Sequence, residues 1–204
     1  MKPEEAPRAV LMSGVGKAFC AGGDIMALYK AGIKEPGSDP TVLAEFPALE
    51  YLLDYALKTM KPTEIALWNG VVMGGGVGLS NHAPFRIATD TTVYAMPETG
   101  IGFFTDVAGS YFLPRMKNNI CLGMFLGLTG HRLKAKDLLT WGVATHYVPQ
   151  TNLEEMKKEL FGSVKQSSTD AEIEAIINTY AEQDSGQIAN LDEINQIFTD
   201  EGAI

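Results

Sequence analysis

The segment Trp68-Asn-Gly-Val-Val-Met-Gly-Gly-Gly-Val-Gly-Leu-Ser80 constrains this chain more than any other. Residues 65–68 form a short apolar run that predicts a buried strand. Asn69-Gly70 punctuates it, and Gly74-Gly75-Gly76 leads into a predicted helix start. Three successive glycines carry a high entropic cost, so a packed protein keeps them where side chains would obstruct. They let a ligand approach bare N–H groups at a helix N-terminus, where unsatisfied donors and the helix dipole favour negative charge. Two readings stand. One is a tight turn between a strand and a helix that pack closely. The other is a site for an anion, or for an oxyanion that develops only during reaction. Nucleotide-phosphate loops do not fit. A Walker loop needs Lys and Ser/Thr after its last glycine, where this chain has Val77 and Leu79, and Gly14-Val-Gly16-Lys17 lacks the upstream glycine and the hydroxyl. A dinucleotide fingerprint needs a third glycine at Phe19 or Asn81.

At 204 residues the chain is one globular domain, or a domain with an appendage, and 46% apolar residues suffice for a substantial core. A net charge of −9 argues against general nucleic-acid or membrane-surface binding. Cys20 and Cys121 form no metal or redox spacing, which fits unpaired thiols in a reducing compartment. His82, His131 and His146 are scattered, and none is read as a ligand or a base. No apolar run reaches the roughly 20 residues of a membrane span. The first residues, Met-Lys-Pro-Glu-Glu-Ala-Pro, are acidic and do not read as a signal or transit peptide.

Taken in order, residues 9–12 predict a buried strand and residues 19–24 a second glycine-rich loop, with Asp24 as cap of a helix over 25–31. Residues 32–40 read as a surface loop. Leu49, Leu52, Leu53, Ala56 and Leu57 then recur at helical spacing and predict a core-facing stripe, with Pro47 in the first turn. Glu50 lies on the border of that stripe, where a carboxylate is costly unless it is paired with a Lys or Arg or used. Residues 85–89 and 93–96 predict strands, 97–106 a loop, 111–114, 120–128 and 135–141 helical or buried segments, and 143–148 a last strand. Residues 154–161, 170–182 and 191–198 predict amphipathic, charged helices more peripheral than the core. Strands alternating with helices make the fold class α/β with a helical tail. The expected organisation is a core over residues 1–150 and a helical extension over 151–204.

Two glycine-rich turns, at Gly22-Gly23 and Gly74-Gly75-Gly76, each follow a strand and precede a helix. Downstream, Glu98 and Asp106 sit in a loop among the apolar residues Met96, Ile101, Phe103 and Phe104. Two N–H donors and a carboxylate in an apolar pocket suit acyl chemistry: the donors stabilise oxyanion charge and the carboxylate acts as base or nucleophile.

The motifs Ala18-Phe-Cys-Ala-Gly-Gly-Asp24, Asn69-Gly-Val-Val-Met-Gly-Gly-Gly-Val-Gly78 and Met96-Pro-Glu-Thr-Gly-Ile-Gly102 closely resemble the crotonase (enoyl-CoA hydratase/isomerase) superfamily. Glu50-Tyr-Leu-Leu, Asp106-Val, Tyr111-Phe-Leu-Pro-Arg115 and Leu128-Thr-Gly-His-Arg-Leu resemble its 3-hydroxyisobutyryl-CoA hydrolase branch. The resemblance implies a spiral of ββα units. It also implies that the N–H groups of Gly23 and Gly75 form an oxyanion hole for a CoA thioester and that Glu98 attacks the carbonyl or activates water. Asp106 would hold the 3-hydroxyl and assist, and Glu50 would lie in the acyl pocket. Hydratases of the superfamily carry a second glutamate where this chain has Gly78, and a glycine can be neither acid nor base, so hydrolysis fits better.

Thr105 stands where the branch has Pro, and Ala108-Gly109-Ser110 where it has a glycine run, so the Asp106 loop is expected to be free to move. Family members also have a strand and helix before the position of Ala9 and continue beyond that of Ile204. From this the chain is expected to sit in a homo-oligomer or a larger protein complex. The implied activity is hydrolysis of a 3-hydroxyacyl-CoA, most simply 3-hydroxyisobutyryl-CoA of valine breakdown. It needs no metal or redox cofactor, CoA being part of the substrate, and is placed in the mitochondrial matrix if the source is eukaryotic. The alternative is a shortened homologue serving as a structural subunit of a larger assembly such as a mitochondrial ribosome.

Overall fold

The computed structural model describes residues 6–183 and 186–198; residues 199–204 of the expected helical extension lie outside it, as do residues 1–5. The chain alternates between two four-stranded sheets. Strands β1 (Ala9–Ser13), β3 (Thr63–Trp68), β5 (Phe85–Ala88) and β8 (His146–Tyr147) form the first, in the order β1-β3-β5-β8 and parallel throughout. Strands β2 (Ala18–Cys20), β4 (Val71–Met73), β6 (Val93–Ala95) and β7 (Leu133–Lys134) form the second, in which only β7 runs antiparallel. Helices α1 (Ile25–Gly32) and α2 (Val42–Thr59) follow the first pair of strands, α3 (Gly75–Ser80) follows the second, and the short α4 (Gly109–Phe112) and α6 (Asp137–Thr140) come later in the chain. The result is a succession of ββα units, an α/β fold.

β3 is the centre of this arrangement. All six of its residues are buried, because successive side chains point to opposite faces and both faces are covered. Ala66 and Trp68 pack between the sheets with Val72 and Tyr94, together with Leu122 and Leu126 of α5 (Ile120–Thr129). Ile65 and Leu67 pack on the other side against α7 (Leu153–Ser163) and α8 (Asp170–Tyr180), which contribute Met156, Leu160, Ile173 and Ile177. These two helices were expected at the periphery, but they close a second core. Their charged residues lie on the outer face only, as an amphipathic helix on a sheet requires.

Residues 71–73 form a strand the sequence did not announce. Gly70 makes it possible: at φ 101° the chain leaves β3 and enters the second sheet, and a Cβ there would lie 2.2 Å from the Lys17 carbonyl oxygen. Asn69 fixes this crossing. Its side chain accepts from the Gly14 N–H at 3.0 Å and donates to the Gly14 carbonyl at 2.8 Å, so the turns after β1 and β3 are clamped to one another. Trp68 adds a buried chain: its indole donates to Ser80 at 2.9 Å, and Ser80 donates to the Gly76 carbonyl at 2.8 Å.

α2 departs from expectation in both start and orientation. It begins at Val42, so Pro47 lies inside it rather than in its first turn. The stripe of Leu49, Leu52 and Leu53 faces outward, with Leu52 63% exposed, whereas Asp54 on the opposite face is only 4% exposed. The inward face carries Phe46, Glu50 and Asp54, spaced four residues apart and hence stacked on one side of the helix.

Candidate active site

The two glycine turns meet. A Cβ built on Gly75 would lie 3.6 Å from the Gly23 nitrogen and 3.4 Å from the Gly22 Cα, and one built on Gly22 would lie 3.6 Å from the Gly75 nitrogen. Gly75 is the first residue of α3, so its N–H has no acceptor within the helix. Gly23 is required by packing as well: its Cβ would fall 2.1 Å from the ring of Phe46 on α2. Asp24 closes the first turn as expected, accepting from the Ala27 N–H at 3.0 Å as cap of α1.

Two glutamates flank this pair of turns. The Glu98 Oε1 lies 3.2 Å from the Cβ position of Gly74, and the Glu50 Oε1 lies 2.7 Å from that of Gly75. A side chain on Gly74 or Gly75 would therefore crowd a carboxylate, whereas one on Gly76 would meet the Cys20 carbonyl oxygen at 2.1 Å. Glu98 opens a short 3-10 helix (Glu98–Ile101) directly after β6 and is 7% exposed, with neither carboxylate oxygen hydrogen-bonded among the described residues. Glu50 belongs to no ion pair among the described residues, so pairing with a Lys or Arg is not what places it on α2.

Asp106 lies on the loop that follows. This loop is tethered, contrary to the expectation that Thr105 frees it: the Thr105 hydroxyl donates to the Gly127 carbonyl of α5 at 2.9 Å, and its methyl crowds Gly109. Beyond Asp106 the chain turns through Val107 at φ 43° and Ala108 at φ 62°, a left-handed pair that costs non-glycine residues energy and persists only when packing enforces it. Val107 is buried.

A fourth acidic group, missed in the sequence, completes the cluster. Asp54 is buried with both oxygens unpartnered among the described residues. The signal was there, since Asp54 is one helical turn from Glu50 and so on the same face. Gly78 lies against it: a Cβ at 78 would meet Val107 Cβ at 2.5 Å and the two Asp54 oxygens at 3.1 and 3.2 Å. Position 78 thus lacks a carboxylate, and it also lacks the room for one.

Burial and mutual repulsion push these acids upward. Desolvation, then Asp106, Asp54 and Glu98, raise Glu50 to about 7. Desolvation and then Asp106 raise Asp54 to about 6. Desolvation also lifts Glu98, with Asp106 adding to it. Asp106 is lifted mainly by desolvation. Beside them opens a cavity of about 650 Å³, largely apolar, walled by Tyr51, Tyr55 and Lys58 of α2 and by His82, Phe104 and Tyr111. His82, read from the sequence as neither ligand nor base, lines it against the Tyr111 and Phe112 rings.

The enoyl-CoA hydratase/isomerase family model matches residues 1–203. The chain belongs to that family. Among this family's curated members, 3-hydroxyisobutyryl-CoA hydrolase of Danio rerio is 47% identical over 85% of the chain and 44% of its own length. The mitochondrial enzyme of the same name from Dictyostelium discoideum is 43% identical over 93% of the chain and 51% of its own length. The chain spans about half the length of the curated relatives it matches. Among solved structures, a carnitinyl-CoA dehydratase from Mycobacterium thermoresistibile aligns with a TM-score of 0.79 and 31% identity, over 94% of this chain and 53% of that one. An enoyl-CoA hydratase from Rhodobacter sphaeroides aligns at 0.75 and 30% over the same shares. The crotonase-type ββα architecture is the fold these family members have in common with this chain.

Proposed function

We propose that this chain carries the catalytic centre of a 3-hydroxyacyl-CoA thioester hydrolase, with 3-hydroxyisobutyryl-CoA as its substrate. One observation carries the reading: the Gly23 and Gly75 turns meet between the buried Glu98 and the half-buried Glu50, while packing closes position 78 to a second hydratase-type carboxylate. The names of the curated relatives support this activity rather than a structural-subunit role.

The thioester carbonyl oxygen is taken between the two backbone N–H groups, which are fixed before reaction and gain most as negative charge develops. As its carboxylate, the desolvated Glu98 either attacks the carbonyl carbon or removes a proton from the attacking water. The C–S bond breaks, CoA leaves and takes up a proton as the free thiol, and a water-derived hydroxyl remains on the acyl carbon. No redox change occurs, so the chemistry calls for no cofactor besides the CoA of the substrate. Asp106 accepts a hydrogen bond from the 3-hydroxyl, and Glu50, in its protonated form, donates one within the acyl pocket. A mitochondrial matrix location, for a eukaryotic source, is proposed from the same relatives.

The test is release of free CoA thiol from paired esters, with and without the 3-hydroxyl. Asp106→Asn should depress hydrolysis of the hydroxylated ester far more than that of the plain one, because a site built to bind a hydroxyl loses most when that contact breaks. Equal losses would remove Asp106 from the hydroxyl, and no thiol release from any ester would end the hydrolase reading.

A further inference from the structure

Asp54 is the one acid in the cluster that the proposed chemistry leaves without a task. It lines the cavity beside Asp106 and Val107, but both its oxygens are shielded from solvent and have no hydrogen-bond partner among the described residues, and it stands where three elements converge. On one side is the α3 backbone at Gly78, with both oxygens 3.1–3.2 Å from its Cβ position; on another is Val107, whose Cβ reaches within 2.5 Å of the same point. Its own helix carries Glu50 one turn earlier. An unpaired buried carboxyl is expensive, and an apolar side chain of the same size would fill the space at lower cost.

We propose that Asp54 is a positioning residue of the active site: meeting Val107 at Gly78, it acts on Glu50 and on the Asp106 turn without touching the substrate. Its position against Val107 helps hold the left-handed Val107-Ala108 pair, and so aims Asp106. Its charge, one turn from Glu50, favours the protonated form of that glutamate, the only form able to donate a hydrogen bond. The charged and titratable groups around it are Glu50, Tyr51, Tyr55 and Lys58 on its own helix, Asp106 on the turn, Tyr111 beyond it, and His82 after α3, with Glu98 acting on Glu50 from beyond the glycines. Of these, Asp106 bears on Asp54 most directly after burial itself. The role deepens the hydrolase reading, but its test does not depend on turnover.

The experiment is a carbon-13 NMR titration of the side-chain carboxyls in the full chain, with the Glu50 resonance assigned by its loss in Glu50→Gln. In Asp54→Asn, which keeps shape and removes charge, the Glu50 midpoint should move to lower pH by roughly half a unit. An unchanged midpoint overturns the proposal. Should Asp54→Asn fail to fold, Asp54→Ser, which also removes the charge, decides by the same reading: the Glu50 midpoint should move to lower pH, and an unchanged midpoint overturns the proposal. A kinetic arm follows with the hydroxylated ester. Asp54→Asn should lower kcat about tenfold while KM stays within about twofold, the split of a group that orients rather than binds. A wild-type protein that hydrolyses nothing refutes the hydrolase reading and leaves the titration to judge Asp54.

Discussion

Gly78 shows at the residue scale how a missing side chain can be informative. In an open helix, alanine is better than glycine by about 1 kcal/mol. At position 78 the added carbon would meet Val107 at 2.5 Å, and overpacking of that kind costs about 1–3 kcal/mol. Gly78→Ala should therefore lower stability in denaturant unfolding despite its helix propensity. Gly78→Glu should lower it further and bring no hydration of an enoyl-CoA. A stable Gly78→Glu variant with hydratase activity would contradict the crowding. The glycine at 78 was plain in the sequence, and so were Glu98 and Asp106. The reason for the glycine was not, because neither Val107 nor Asp54 is its neighbour along the chain.

The elements differ in how much of their role was legible. Strands β1, β3, β5 and β6 stood out as short apolar runs, and the Asp24 cap marked α1. α2 was legible as a helix and misread in orientation. Periodicity says which side chains share a face. It does not say which face turns inward, and here Phe46, Glu50 and Asp54 line the site while the leucine stripe stays exposed. The Asp106 loop was misread for a related reason. Thr105 looks permissive beside a proline, but its hydroxyl reaches the Gly127 carbonyl 22 residues on. Thr105→Val keeps the shape and removes that bond, so stability should fall by about 1 kcal/mol, and amides 106–109 should exchange faster. Unchanged exchange would mean that the bond does not hold the loop.

Across the whole molecule, two sheets and their covering helices bury acids that have no partner among the described residues. Glu64 on β3 is 2% exposed, with neither oxygen hydrogen-bonded, and desolvation raises it from 4.5 to about 7. The folded state therefore holds a proton that the unfolded state releases near pH 4.5. Stability is full below that value and is lost as pH rises through about 7, by up to about 3 kcal/mol from this group. Glu50 and Asp54 tilt the curve the same way. Glu64→Gln should raise the Tm at pH 8 and change it little at pH 4.5; an equal gain at both values would rule out titration as the cause. The alternation of strands between sheets, and the meeting of the two glycine turns, were legible only through the family resemblance and not in the residue pattern, because both depend on contacts between distant segments. That meeting is what the functional claim rests on. Its most direct test is CoA thiol release from 3-hydroxyisobutyryl-CoA by wild type and Glu98→Gln. Loss of a positioned base is expected to lower turnover by about 10²-fold or more with substrate binding retained, whereas wild-type turnover in Glu98→Gln would contradict the account.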